Sequence, residues 1–226
     1  SHVRRLLAVG HGLAAAGLEP VLALKDPGVG AGLGVRPSYR VVAAPKAPSP
    51  ALPWFRAASY ADILAVRGYT NLDDLAVGVR GWDKILANVK PVLVVSDHSP
   101  TLCLAASGKV PTVVIGNGFT VPPAQEVWFP RLDDDAEPLV AQEHVFRVVR
   151  QVARLRGRRP PDALPAAFAG DARLVAAIAE LDPYHSFRRD PLIGPLEPLA
   201  SASPPPDSPR LFAYLAAGYA GLDLLF

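Results

Sequence analysis

PVLVVSDHSPTLCLAASGKVPTVVIGNGF, residues 91–119, is the stretch that decides the fold. Val92 to Val95 form an apolar run that stops at Ser96 and Asp97, and a short helical pattern begins at Ser99 and Pro100. Gly108 closes that helix and Pro111 restarts the chain. A second apolar run, Val113 to Ile115, then ends in Gly116, Asn117, Gly118 and Phe119. Continuous β-branched runs joined by a helix are what two parallel strands covered on both faces look like in sequence. Ligands of such sheets bind outside the carboxyl ends of the strands. Asp97, Asn117, Gly118 and Phe119 are therefore the first candidates for chemistry.

Outward on the amino-terminal side, Val3, Leu6, Leu7, Val9 and Leu13 recur at helical spacing, with Arg4 and Arg5 assigned to the opposite face and Gly17 at the expected end. Val21 to Lys25 and Arg40 to Ala43 read as strands. A helix running at once into a buried strand is the second half of a βαβ unit, so the first strand of that unit is expected before Ser1, which stands at the helix N-cap position. Gly28, Gly30, Gly32 and Gly34 fit no frame of the dinucleotide fingerprint, and Pro37 blocks the helix that should come next; the segment reads as a loop. A Pro-rich stretch ends in Trp54 and Phe55, and helices are expected over 59–67 and 71–88. Asn71 supplies the cap of the second, and its stripe of Trp82, Ile85, Leu86 and Val89 reads as core.

On the carboxyl side, Asp133, Asp134 and Asp135 look like an Asp-x-Asp metal motif, but they precede a helix expected over 137–155 and read as acidic charge at its start. That helix carries Arg147, Arg150 and Arg154 on a basic face, which is compatible with peripheral membrane contact. Residues 162–168 and 172–181 read as short amphipathic pieces, and 191–197 as an extended return to the surface. PLASASPPPDSP, residues 198–209, reads as a linker, and 210–226 as the opening strand and helix of a second α/β domain.

Composition narrows the function classes. The chain has 226 residues, half of them apolar, and a mean hydropathy of +0.21, which suits a sheet buried on both faces. A net charge of +2 gives no electrostatic case for nucleic acid. Cys103 is the single cysteine, which excludes disulfide frameworks and thiolate metal sites and suits the cytosol. No apolar run is long enough to span a bilayer, and no signal-peptide core opens the chain. The absence of methionine, with helical patterns at both ends, suggests a piece of a longer protein.

In this order, the segments resemble the amino-terminal half of GT-B fold glycosyltransferases, in the group that includes UDP-glucuronosyl- and antibiotic (macrolide-type) glycosyltransferases. The resemblance rests on His2-Val-Arg-Arg-Leu, Leu93-Val-Val-Ser-Asp97, Ala105-Ala106 leading to Val110-Pro111, and Gly116-Asn-Gly-Phe119 before Pro122-Pro123. Glu180-Leu-Asp182-Pro-Tyr184 and Pro209-Arg-Leu-Phe-Ala-Tyr214-Leu extend it over nearly the whole chain. The family's Gly-rich strand end before the His is absent, as is almost all of the sugar-nucleotide domain.

The resemblance implies a Rossmann-like, doubly wound parallel sheet over 1–197 that binds the acceptor, then the linker and the start of a truncated donor domain. It implies an inverting, nucleotide-sugar-dependent glycosyltransferase of hexosyltransferase type, with no metal and no cofactor beyond the donor as co-substrate. The partners implied are a small-molecule acceptor and the nucleotide sugar, the form a cytoplasmic monomer, and this chain by itself is expected to be inactive. It assigns His2 as general base and Asp97 as the carboxylate that orients it. A sheet ordered 3-2-1-4-5 supports that pairing, because the strand before His2 and the strand ending at Asp97 would be neighbours at its switch point. Trp54, Tyr60, Asn117, Gly118 and Phe119 are the candidate acceptor contacts. His98 is expected to point away from the crevice, and His11, His144 and His185 to lie outside it. A sugar-nucleotide epimerase on the same fold and a non-catalytic binding module remain the alternatives.

Overall fold

The computed structural model describes residues 2–28, 40–48 and 55–196. The expected linker, the opening of a second domain, the glycines from Gly30 onward in the glycine loop, Ser1 and Trp54 lie outside the described residues.

Helix α1, His2–Ala15, ends at Gly17, whose φ of 82° is the left-handed turn that glycine adopts without penalty. It packs Leu7 onto Leu22 and Leu24 of strand β1, Val21–Leu24, which pairs in parallel with β2, Arg40–Ala43. Helix α2, Tyr60–Leu64, starts at a reciprocal cap: the Ser59 hydroxyl accepts from Ala61 N–H, and the Asp62 carboxylate accepts from Ser59 N–H. It runs into a π-helical turn, Ala65–Tyr69. Asn71 caps α3, Leu72–Val89, by accepting from the N–H groups of Asp73 and Asp74.

Strand β3, Val94–Asp97, helix α4, Pro100–Ala106, and strand β4, Thr112–Gly116, come next, as the apolar runs and the Ser-Pro helix start lead one to expect. The main core lies between this sheet and the helices, where Leu64, Tyr69, Val79 and Trp82 meet Val145 and Val149 of α5, Gln142–Leu155. Among the described residues the chain is thus a mixed α/β protein with two open parallel sheets, β1-β2 and β3-β4 extended by β5, Ala172–Val175, compatible with a Rossmann-like fold.

Two expectations need correction. Helix α5 begins at Gln142 and not at Glu137. Pro138 disfavours helical backbone at Glu137, and the N–H groups of Leu139 and Val140 are held by the Asp62 carboxylate. Residues 172–181, read from the sequence as one short amphipathic piece, divide into strand β5, Ala172–Val175, parallel to β4, and a 3-10 turn, Ala179–Leu181. Asp171 docks it, giving its N–H to the Thr112 carbonyl and accepting from Thr112 N–H, both at 2.8 Å. Gly170 permits the approach, with φ 61° and the Thr112 carbonyl where a side chain would begin. Leu192 bridges to Val175 beyond it, in keeping with an extended return.

Candidate functional site

The site forms where α1 starts and β3 ends. The two elements meet above the sheet, so residues 95 positions apart come into contact: His2 Nδ1 lies 2.8 Å from Asp97 Oδ1. The Asp97 carboxylate is fully buried, while the His2 ring is about half exposed (50%). Arg5 completes the cluster, with its Nε donating to Asp97 Oδ2 at 2.8 Å and its Nη2 to Oδ1 at 3.1 Å. The expected assignment of Arg5 to the opposite face is therefore corrected. His2 and Arg5 are three residues apart on one helix, and that spacing places them side by side.

Burial alone would raise the Asp97 carboxyl. The hydrogen bonds from His2 and Arg5, with the Arg5 charge, outweigh it and hold Asp97 below its ordinary value. An ionised Asp97 can only accept, so the proton between it and His2 resides on Nδ1. Nδ1 then has no lone pair for Arg5, and the 3.3 Å approach of Arg5 Nη2 to it is a contact between two donors. The neutral imidazole is left with an unprotonated Nε2, which makes no hydrogen bond among the described residues.

His98 departs from expectation. Its backbone adopts a left-handed φ of 48°, and its ring stacks on His2 with centroids 5.3 Å apart. Tyr60 and Phe119 pack around it at 6.0 and 6.3 Å and touch each other at 6.4 Å. Burial first, and then the neighbouring His2 charge, push His98 down to about 4, so it is neutral at physiological pH. Tyr60 is buried against Phe129, and burial raises its phenol well above the usual range, so it stays protonated. These rings make an uncharged wall beside the His2–Asp97 pair.

Asn117 and Gly118 are engaged in their own turn. Asn117 Oδ1 accepts from Thr120 N–H at 3.0 Å, and the Gly118 carbonyl accepts from Arg188 Nη2 at 2.9 Å. Arg188 in turn grips the buried Asp182 carboxylate, and a side chain at Gly118 would collide with that carboxylate. Asp182 was legible only as part of a motif; the cation that neutralises it comes from six residues downstream. His144 lies away from the crevice, as expected, with its Nε2 against the Thr70 carbonyl at 2.9 Å.

The acidic run is a loop held by arginines. Asp133 pairs with Arg56 at 2.5 Å, and Arg131 binds the carbonyls of Asp133, Asp134 and Ala136. Among the described residues there is no group of three or more His, Cys, Asp or Glu side chains that could hold a metal ion, and no helix long and apolar enough to cross a membrane. A cleft of about 880 Å³ opens beside the His2–Asp97 pair and runs between β1 and β3. No protein-family model and no curated protein matches the chain.

Proposed function

We propose that this chain is the acceptor-binding part of an inverting glycosyltransferase, in which His2 deprotonates an acceptor hydroxyl. The observation that carries the reading is the 2.8 Å contact between His2 Nδ1 and the buried Asp97 carboxylate at the carboxyl edge of a parallel sheet. A hydroxyl is a weak nucleophile at neutral pH, and a His with its Nδ1 proton fixed presents a basic Nε2. In the reaction, Nε2 takes the hydroxyl proton as the oxygen attacks the anomeric carbon. The bond from that carbon to the nucleotide diphosphate breaks, and its electrons leave with the diphosphate. Attack from the face opposite the leaving group inverts the sugar configuration. Asp97 stabilises the imidazolium, as the carboxylate of a Ser-His-Asp triad does. Arg5 keeps Asp97 ionised and in one orientation.

Tyr60, His98 and Phe119 supply an aromatic wall for the acceptor, with no second base among them. The nucleotide sugar is a co-substrate whose contacts fall to a further domain. The reading includes a cytoplasmic monomer acting on small molecules.

The test is transfer from a nucleotide sugar by the full-length gene product and by its His2→Ala and Asp97→Asn variants. Loss of general base catalysis lowers the rate about 10²–10⁴-fold for His2→Ala. An unchanged rate would overturn the role of His2. Acceptor binding without turnover in any form would replace the transferase by a binding module. Interconversion of the nucleotide sugar without transfer would replace it by an epimerase.

A further inference from the structure

Two consecutive side chains, Asp97 and His98, converge on one imidazole. Successive side chains of an extended chain point to opposite faces, so a continued β3 would send His98 away from whatever Asp97 touches. The left-handed φ of 48° at His98 breaks that alternation. Both side chains then reach His2: Asp97 through the 2.8 Å hydrogen bond, and His98 through a stack with centroids 5.3 Å apart and planes inclined by 24°. Among the described residues, Lys90 is the only other non-glycine with a positive φ, and it ends α3, where a left-handed cap is ordinary. His98 ends a strand instead. A backbone outlier of that kind beside a reactive group points to a role in the site.

The His2 ring needs a second hold. It stands on the first residue of α1 and is about half exposed, and its hydrogen bond to Asp97 fixes one ring atom but not the ring plane. The lone pair of Nε2 lies in that plane, so whatever fixes the plane fixes the direction in which the base is presented. His98 lies close to parallel with it, and is itself held edge-on by Phe119 at 6.3 Å and by Tyr60 at 6.0 Å. Tyr60 is buried against Phe129 on the capped first residue of α2. Orientation thus passes from a hydrogen-bonded helix start through two rings to His2. Among the described residues the nitrogens of His98 make no hydrogen bond, so it acts on His2 through its face. We infer that His98 is a positioning residue, whose ring sets the plane of the His2 imidazole and with it the direction of Nε2. This role rests on the reading of His2 as the base.

The experiment uses the full-length gene product and two variants. His98→Gly removes the ring and adopts the left-handed turn without strain. His98→Phe restores an aromatic face without the nitrogens. NMR of the isotope-labelled His2 ring reads the stack directly, as the ring-current displacement of its carbon-bound protons and as restricted ring motion. Steady-state transfer reads the consequence. In His98→Gly the displacement is lost and kcat falls about 10–10²-fold, while KM changes by less than about threefold, because a misaimed base loses transition-state contact rather than acceptor binding. In His98→Phe, kcat recovers to the extent that the displacement does. Should His98→Gly impair folding, His98→Asn, which also takes left-handed backbone, is read in the same way. A raised KM with kcat unchanged in His98→Gly would make His98 a wall for the acceptor only and overturn the inference. So would a His2 ring equally ordered in that variant, or a His98→Phe protein that restacks and stays as slow as His98→Gly. Absence of transfer by the unsubstituted protein would instead remove the transferase reading, and the NMR comparison would still decide whether His98 orders the His2 ring.

Discussion

Asp62 gives the sharpest test of how the wall of the site is held. Its side chain is fully buried. One carboxylate oxygen accepts from the N–H groups of Ala58 and Ser59 at 2.8 and 3.2 Å, and the other from those of Leu139 and Val140 at 2.9 and 3.3 Å. One side chain therefore fixes the start of α2, where Tyr60 sits, and pins the segment that precedes α5. Replacing it by Ala leaves four backbone donors without their acceptor, at about 1–3 kcal/mol for each that stays buried. Water reaches some of them after relaxation, so the net loss is about 3–5 kcal/mol, at the upper end for a single substitution. With a urea m-value of ~2 kcal/mol/M, the unfolding midpoint falls by about 1.5–2.5 M. Asp62→Asn retains one acceptor oxygen but turns an amide NH₂ against one donor pair, so its loss is also large, about 2–3 kcal/mol. Equilibrium urea unfolding monitored by far-ultraviolet circular dichroism measures both. A midpoint shift of less than ~0.5 M for Asp62→Ala, at unchanged m, would refute the reasoning.

Asp97 governs acid stability. Its folded value is depressed, so its contribution is present above the unfolded carboxyl value of about 3.9 and is lost as pH falls through the folded value. Urea midpoints measured downward from pH 5 should therefore decline, and Asp97→Asn should be less stable at neutral pH with a shallower acid slope; equal slopes would contradict the assignment. Cys103 is buried, and burial pushes its thiol up to about 11 despite a hydrogen bond with Ser96, so native protein at pH 8 should react with a thiol reagent only as fast as it opens. Stopped-flow absorbance checks this, and native reaction as fast as that of urea-unfolded chain would show the thiol to be exposed.

The parallel strands β3 and β4 were legible because both faces are buried, which leaves runs such as Val92 to Val95 and Val113 to Ile115 in the sequence. Strand β5 was not. Ala172–Val175 buries only Val175 fully and carries Arg173, so it lacks an apolar run, and its place depends on Asp171 and Gly170 meeting Thr112 across the fold. The start of α5 was misplaced because Pro138 disfavours helical backbone at Glu137, and Asp62, far away in sequence, pins Leu139 and Val140 outside the helix. The pairing of His2 with Asp97 was legible through the family resemblance, with an expected strand order in support. Arg5 could have been added from its three-residue spacing to His2, a signal that was present. His98 could not, since its position depends on a left-handed backbone that no local residue type demands.

The central claim is that Asp97 fixes the His2 proton on Nδ1 and leaves Nε2 free to act as a base. Long-range proton–nitrogen NMR correlation of isotope-labelled protein reads the tautomer of each imidazole directly. The account predicts that neutral His2 carries its proton on Nδ1, and that Asp97→Asn abolishes this preference. A His2 proton on Nε2 in the unsubstituted protein, or an Nδ1 tautomer indifferent to Asp97→Asn, would contradict it.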